Sequence, residues 1–279
     1  MHDSLITTMQ NLSFVGLLLV IMFIAKWLYN FTTPYDTFNE ILIKKNAALA
    51  TSVAGYIVAV AIIFCAVLTG PSGGLVNDLI AVAGCSVAGM VMLLVSRIIN
   101  DKLILHTFCN RDQLIEKQNI STGAVQASSY IASALLIGAS LHGNGGWTTA
   151  IVFYGLGQIA LILFARIYDL LTSYNLMTEL ESGNRAVAAT FSATLIALGM
   201  VLLHALVGEF ESWDASITLF IQDAVIGFVI LPLARLFIDK VMFPTICIDK
   251  AVGEEHNMSV ALVEGGVALS VASVIVVVL

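Results

Sequence analysis

The stretch RIINDKLILHTFCNRDQLIEKQNIS, Arg97 to Ser121, returns as RLFIDKVMFPTICIDKAVGEEHNMS, Arg235 to Ser259, without a gap. Identities fall at Arg97/Arg235, Asp101/Asp239, Lys102/Lys240, Thr107/Thr245, Cys109/Cys247, Glu116/Glu254, Asn119/Asn257 and Ser121/Ser259. Upstream, a shift larger by one pairs Gly16/Gly155, Tyr29/Tyr168, Tyr35/Tyr174 and Glu40/Glu179, so one residue is lost between Glu179 and Asn184. Self-similarity at a fixed offset marks a repeat architecture. The chain reads as a tandem duplication, 1–143 and 144–279.

What repeats is membrane-spanning. Hydrophobic residues make up 59% of the chain, charged residues 11%, and mean hydropathy is +0.96. A soluble domain carries about 25% charged residues, so this chain lacks the polar surface to cover itself. Apolar stretches of the ~20 residues that a helix needs to cross a bilayer recur along it. The pattern predicts an all-α polytopic protein with eight helices, near 12–31, 47–69, 75–99, 120–142, 147–170, 185–207, 214–238 and 258–279. The N-terminus has no Lys or Arg to form the n-region of a cleavable signal, and none is expected. The net charge of −7 matters less than where the charges lie.

All Lys and Arg flank alternate connections: Lys26, Lys44 and Lys45; Arg97, Lys102, Arg111 and Lys117; Arg166 and Arg185; Arg235, Lys240 and Lys250. The opposite loops and both termini carry none. Basic loops stay in the cytoplasm, which predicts a bacterial inner-membrane protein with both termini periplasmic.

A finer period lies inside each half. The even-numbered helices open at Asn46, Asn119, Asn184 and Asn257, and the first three close at Gly70, Gly143 and Gly208, at one constant spacing from the Asn. Asn is a favoured N-cap and Gly a frequent helix stop. Each repeated unit is thus an outer helix, a connection and an Asn-started inner helix. Two spans per unit make the units parallel, related by an axis along the membrane normal. After each Asn come small residues (AALATSVAG, ISTGAVQASS, RAVAATFSAT, MSVALVEGG), which allow close backbone approach in lipid. The even helices are therefore expected to form a central bundle with the bulkier odd helices around it. GCSVAG in the third helix is a further candidate for close contact.

Glu264 lies two turns into the last helix, about 10 Å from its start. Its first-half counterpart is Gln126; the matching positions in the second and sixth helices are Val53 and Phe191. Asp223, beside Gln222, falls near mid-membrane, and its counterpart is Cys85. An intramembrane acid costs several kcal/mol unless paired, wetted or protonated. Two readings stand together for this polar set. Glu264 is a proton or cation site with Asp223 as a second station, or it is a protonated carboxyl tying helices together through a hydroxyl or amide.

Other chemistry finds no support. His106 and Cys109 form H-x-x-C, but the second copy has Pro244 opposite His106, and no four-ligand zinc spacing exists. There is no P-loop or dinucleotide fingerprint, and no nucleophile–base set that would make an intramembrane protease. No metal, cofactor, disulfide or catalytic residue is expected. On the connections, Tyr35, Glu40 and Asn46 recur as Tyr174, Glu179 and Asn184. Acids at these helix starts favour the positive dipole end; the other reading is a rim that docks a partner.

The spacing of Glu40, Asn46, Ala48 and Ala50, echoed by Glu179, Asn184, Ala186 and Ala188, resembles the YjfL-like bacterial inner-membrane proteins, domain of unknown function 350. Their usual length is one four-helix copy, so this chain would be a double-length member, with the residue missing after Glu179 as its departure. The resemblance implies no activity; through gene association it implies a stress- or polyamine-linked context. Two functional expectations follow. One is a non-enzymatic component of a membrane or envelope-stress-linked complex. The other is a channel or transporter for protons, cations or a small polar solute, using Glu264. Expected partners are the bilayer, a further copy of the chain, and a cytoplasmic or membrane protein; nucleic acid is not one.

Overall fold

The computed structural model describes residues 2–70, 72–142, 146–207 and 210–278, with side chains from Thr8 onward. Among them are eight helices long and apolar enough to cross a membrane. They are α1 (His2–Thr32), α2 (Ala47–Leu68), α3 (Leu75–Ile99), α4 (Ile120–His142), α5 (Gly146–Leu171), α6 (Arg185–His204), α7 (Trp213–Phe237) and α8 (Met258–Val278). Strands are absent from the described residues. The expected spans hold closely except at three ends. No Gly or Pro interrupts HDSLITTMQNL, so α1 begins at His2, well before its apolar run. α3 and α7 continue through π-helical turns, Asn100–Ile104 and Ile238–Met242. The stops expected at Gly143 and Gly208, and the end at Leu279, lie outside the described residues.

The connections are more ordered than their composition suggested. Asp36 caps a short helix, Thr37–Leu42, by accepting from the N–H groups of Phe38 and Asn39. Asn175 caps Leu176–Ser182 by accepting from Thr178 N–H, and Asn110–Ile115 fills the equivalent place in the second unit.

The even helices pack side by side in chain order: α2 on α4, α4 on α6, α6 on α8. The odd helices lie against this row: α1 against α2, α3 against α2 and α4, α5 chiefly against α4 and also α6, and α7 against α6 and α8. Small residues set the spacing. A Cβ on Gly265 would lie 2.8 Å from the Ala193 methyl, and one on Gly199 would lie 2.9 Å from the Ala132 Cα. In GCSVAG, Gly89 meets Ile63 on α2, whereas Gly84 meets nothing. The expected central bundle is an open row. α4 and α6, with neighbours on both sides, have 67% of their span residues buried; α2 and α8, at the ends, have 39% and 33%.

All four Asn residues lie at one end of the row, and the first three are each tied to the next unit. Asn46 Oδ1 accepts from Leu49 N–H as an N-cap, while its Nδ2 donates to the Leu114 carbonyl at 2.7 Å. Asn119 donates to the Leu180 carbonyl at 2.7 Å, and Asn184 to the Val252 carbonyl at 3.0 Å. One carboxamide thus starts its own helix and holds the neighbouring connection. At the other end, His142 Nδ1 lies 3.0 Å from the Ala66 carbonyl, so α2 and α4 run parallel. We call the two ends of the row the Asn face and the far face.

The missing residue has a structural counterpart. Asn46, Asn119 and Asn257 each donate N–H to the carbonyl six positions back (Glu40, Gln113 and Ala251), and the residue before each is left-handed: Lys45, Gln118 and His256. Asn184 reaches only five back, to Glu179, in the ordinary helix-ending pattern, with Gly183 at φ 89°. Removing one residue converts a widened final turn into a regular one and leaves the Asn in the same place.

Candidate functional site

The polar residues of each half gather where an odd-helix pair meets the even row, close to the Asn face. In the second half, α8 carries Glu264, which is 3% exposed. Arg235, at the end of α7, places Nε 3.2 Å from Glu264 Oε1 and Nη2 2.6 Å from Asp249 Oδ1. Asp249 also accepts the Ser173 N–H at 2.9 Å, fastening the connection before α8 to the one after α5. The guanidinium lies over the Tyr168 ring, 5.3 Å from its centroid, and beside Tyr174. Tyr168 in turn donates to Thr190 on α6 at 3.3 Å. A carboxylate in the membrane is thus stabilised by a cation on the adjacent helix, and aromatic faces shield that cation.

The first half builds the same frame with a neutral amide, Gln126, in the place of Glu264. Arg97 lies 4.9 Å from the centroid of Tyr29, the partner of Tyr168 in the repeat. Gln126 donates Nε2 to Asp101 Oδ1 at 3.0 Å and accepts from Ser52 through Oε1. Asp101 also accepts from Asn110. In the second half, Asp239 instead takes the Ile248 N–H, so the side chain at position 264 turns to Arg235. Pro232, whose first-half counterpart is Leu94, also belongs to the second half alone. It sits one turn before Arg235, where a ring in place of N–H removes a helical hydrogen bond.

Glu264, Arg235, Tyr168, Thr194 and Pro232 line a cavity of about 110 Å³. Two atoms of the ion pair, Glu264 Oε2 and Arg235 Nη1, are buried without a protein partner. One guanidinium serves two carboxylates. With both acids ionised, these three side chains carry one excess negative charge.

Of the other predicted positions, Tyr174 joins this cluster through Arg235, and Asp223, Gln222, Glu40 and Glu179 do not. Asp223 is buried but pairs with His204 Nδ1 at 2.8 Å. It lies more than three turns along α7 from Arg235, about 18 Å at helical rise, and is no neighbour of Glu264. Gln222, expected in the polar core, is exposed: one residue before the buried Asp223, it is turned about 100° around α7 from it. Of the connection residues, Glu40 is buried and paired with Lys44 at 2.6 Å. Glu179 accepts from Asn184 Nδ2 at 2.8 Å and lies 3.6 Å from His256. Both acids lie in the first turn of a short helix, Thr37–Leu42 and Leu176–Ser182, and each also binds a side chain there. Burial pushes the Tyr35 and Tyr174 hydroxyls above their usual pKa, with the Arg235 charge opposing the shift at Tyr174.

Sequence reading missed Arg235, Asp249 and Tyr168 as site members, along with their counterparts Arg97 and Asp101. The signal was present: Arg97/Arg235 and Tyr29/Tyr168 are repeat identities, yet the arginines were read only as loop charges. Gln113 was missed too; it accepts from Asn119 as Glu179 does from Asn184.

Comparison with known proteins agrees with the duplication. The family described as Domain of Unknown Function (DUF350) matches the chain twice, over residues 3–141 and 144–279. The UPF0719 transmembrane protein YshE of Bacillus subtilis (strain 168) is 27% identical over 123 residues, which cover 44% of this chain and 87% of that protein. No solved structure matches.

Proposed function

From the premise that this chain belongs to the DUF350 family of membrane proteins, we propose that it is a non-enzymatic component of a bacterial inner-membrane assembly, not a conduit. The observation that carries this reading is the packing of the even row. Backbones in close contact from Asn face to far face argue against a passage between those helices, and each buried acid within the spans is paired inside the protein. The distribution of Lys and Arg supports a cytoplasmic Asn face and periplasmic termini. There the connections form one rim, which offers a partner a surface of mixed charge. The stress-linked context implied by the family accords with such a role.

A second reading has one observation in its favour. The excess negative charge at Arg235, Glu264 and Asp249, with Glu264 Oε2 unpartnered beside a cavity, suits a proton or small cation. Flux measurements on proteoliposomes of the natural chain and Glu264→Gln separate the two. The component reading expects proton and monovalent-cation flux at the protein-free level in both. Flux through the natural chain that Glu264→Gln reduces ten-fold or more would replace it with the second reading.

A further inference from the structure

The interface between neighbouring units is built three times among the described residues, and the two outer faces of the row leave the two halves of a fourth exposed. Three equivalent positions of every inner helix face the following unit. On α2 these are Ala48, Gly55 and Ala59, all buried. On α8 they are Ser259, Gly266 and Ser270, and all three are exposed. Three others face the preceding unit. On α4 these are Ala127, Ala134 and Gly138, again buried. On α2 they are Ala54, Ala61 and Cys65, of which Ala54 and Cys65 are exposed and Ala61 is partly so.

The seats match in detail. Gly55 meets Ala127 between the first and second units, and Gly265 meets Ala193 between the third and fourth. The same register would set Gly266 against an Ala54, yet nothing lies within 4 Å of a Cβ placed on Gly266. The polar tie is also half-made at each end. Asn46, Asn119 and Asn184 each donate Nδ2 to a carbonyl of the next unit. Asn257 only caps its own helix, and among the described residues its Nδ2 has no partner. Ile41 holds the place of Leu114 and Val252, and its carbonyl accepts no such bond. Beside it, Leu42 and Ile43 are 73% and 75% exposed.

We propose that a second copy of this chain seats its α2 face on the α8 face of the first, repeating the internal unit-to-unit interface from one molecule to the next. The contact is head-to-tail. Because all units are parallel, every copy keeps the same orientation in the membrane, and the assembly is a ring or an in-plane row. Asn257 then donates to the Ile41 carbonyl of the next copy. The other occupant of these faces is lipid, which would leave single molecules.

The test uses the full chain in native membranes, with Cys65, Cys85, Cys109 and Cys247 replaced by Ser. Ala54→Cys and Gly266→Cys are introduced separately and together, and thiols are oxidised with a membrane-permeant reagent. The double variant should give a ladder of dimer, trimer and larger products, co-expressed single variants only a dimer, and either single variant alone none. Monomer alone from the double variant, or single variants that cross-link as readily, would overturn the proposal. Both positions are exposed, so folding is not at stake. A second measurement is particle mass after gentle extraction. The natural chain should be a multimer, and Gly266→Phe a single copy that still unfolds in one cooperative transition, at a temperature no higher than that of the multimer. A monomeric natural chain, or an unchanged mass in the variant, would also refute it.

Discussion

At the residue scale, the second-half cluster turns on Arg235. Removing it leaves the buried Glu264, beside a half-buried Asp249, with no compensating cation, whereas removing Glu264 leaves a guanidinium that still has Asp249. Breaking a buried pair from one side costs on the order of 3–5 kcal/mol, because the surviving charge stays desolvated. Arg235→Met should therefore lower stability by about that amount, and Glu264→Gln by less. Arg235→Met with Glu264→Met should recover part of the loss. Thermal unfolding of the natural chain, the two single Met variants and the double variant in detergent forms the double-mutant cycle. Additive losses would mean that the two side chains do not interact. The first half shows why Gln is the milder change: Gln126 occupies the same position with hydrogen bonds alone.

At the scale of the element, the inner helices carry their own starting signal, and it does two jobs. The cap half is local: Asn side chains commonly contribute about 1 kcal/mol by accepting from the first-turn N–H groups. The sideways half depends on a neighbour, and only three of the four have one inside the chain. Asn184→Ala should thus destabilise by roughly 2 kcal/mol, the cap plus a buried carbonyl left without its donor. Asn257→Ala in a solubilised single copy should cost only the cap. Unfolding by denaturant compares them directly; equal losses would show that the contacts to Val252 and Gly253 contribute nothing. The odd helices lack the combined Asn device: α7 has only a local cap, Ser212, and α5 and α7 meet the row through packing and single side-chain bonds such as Gln158 to Ser133 and His204 to Asp223.

For the whole molecule, the proposed orientation rests on the asymmetry of basic residues between the two faces. Cys109 and Cys247 are exposed on connections of the Asn face, and they report on it directly. With Cys65 and Cys85 replaced by Ser, a membrane-impermeant maleimide should leave intact spheroplasts unlabelled and should label both sites after permeabilisation. Labelling of intact cells would invert the topology. The number of spans, the duplication, the unit within each half and the parallel Asn starts were all legible in the chain, because hydropathy, capping and repeats are properties of local sequence. Tertiary structure alone decided that Glu264 is held by Arg235, that Asp223 turns to His204, that Gln222 faces outward, and that the inner helices form an open row. Each of these depends on the rotation and register of one helix against another. In this molecule, close backbone contacts set that register, and no single helix records them.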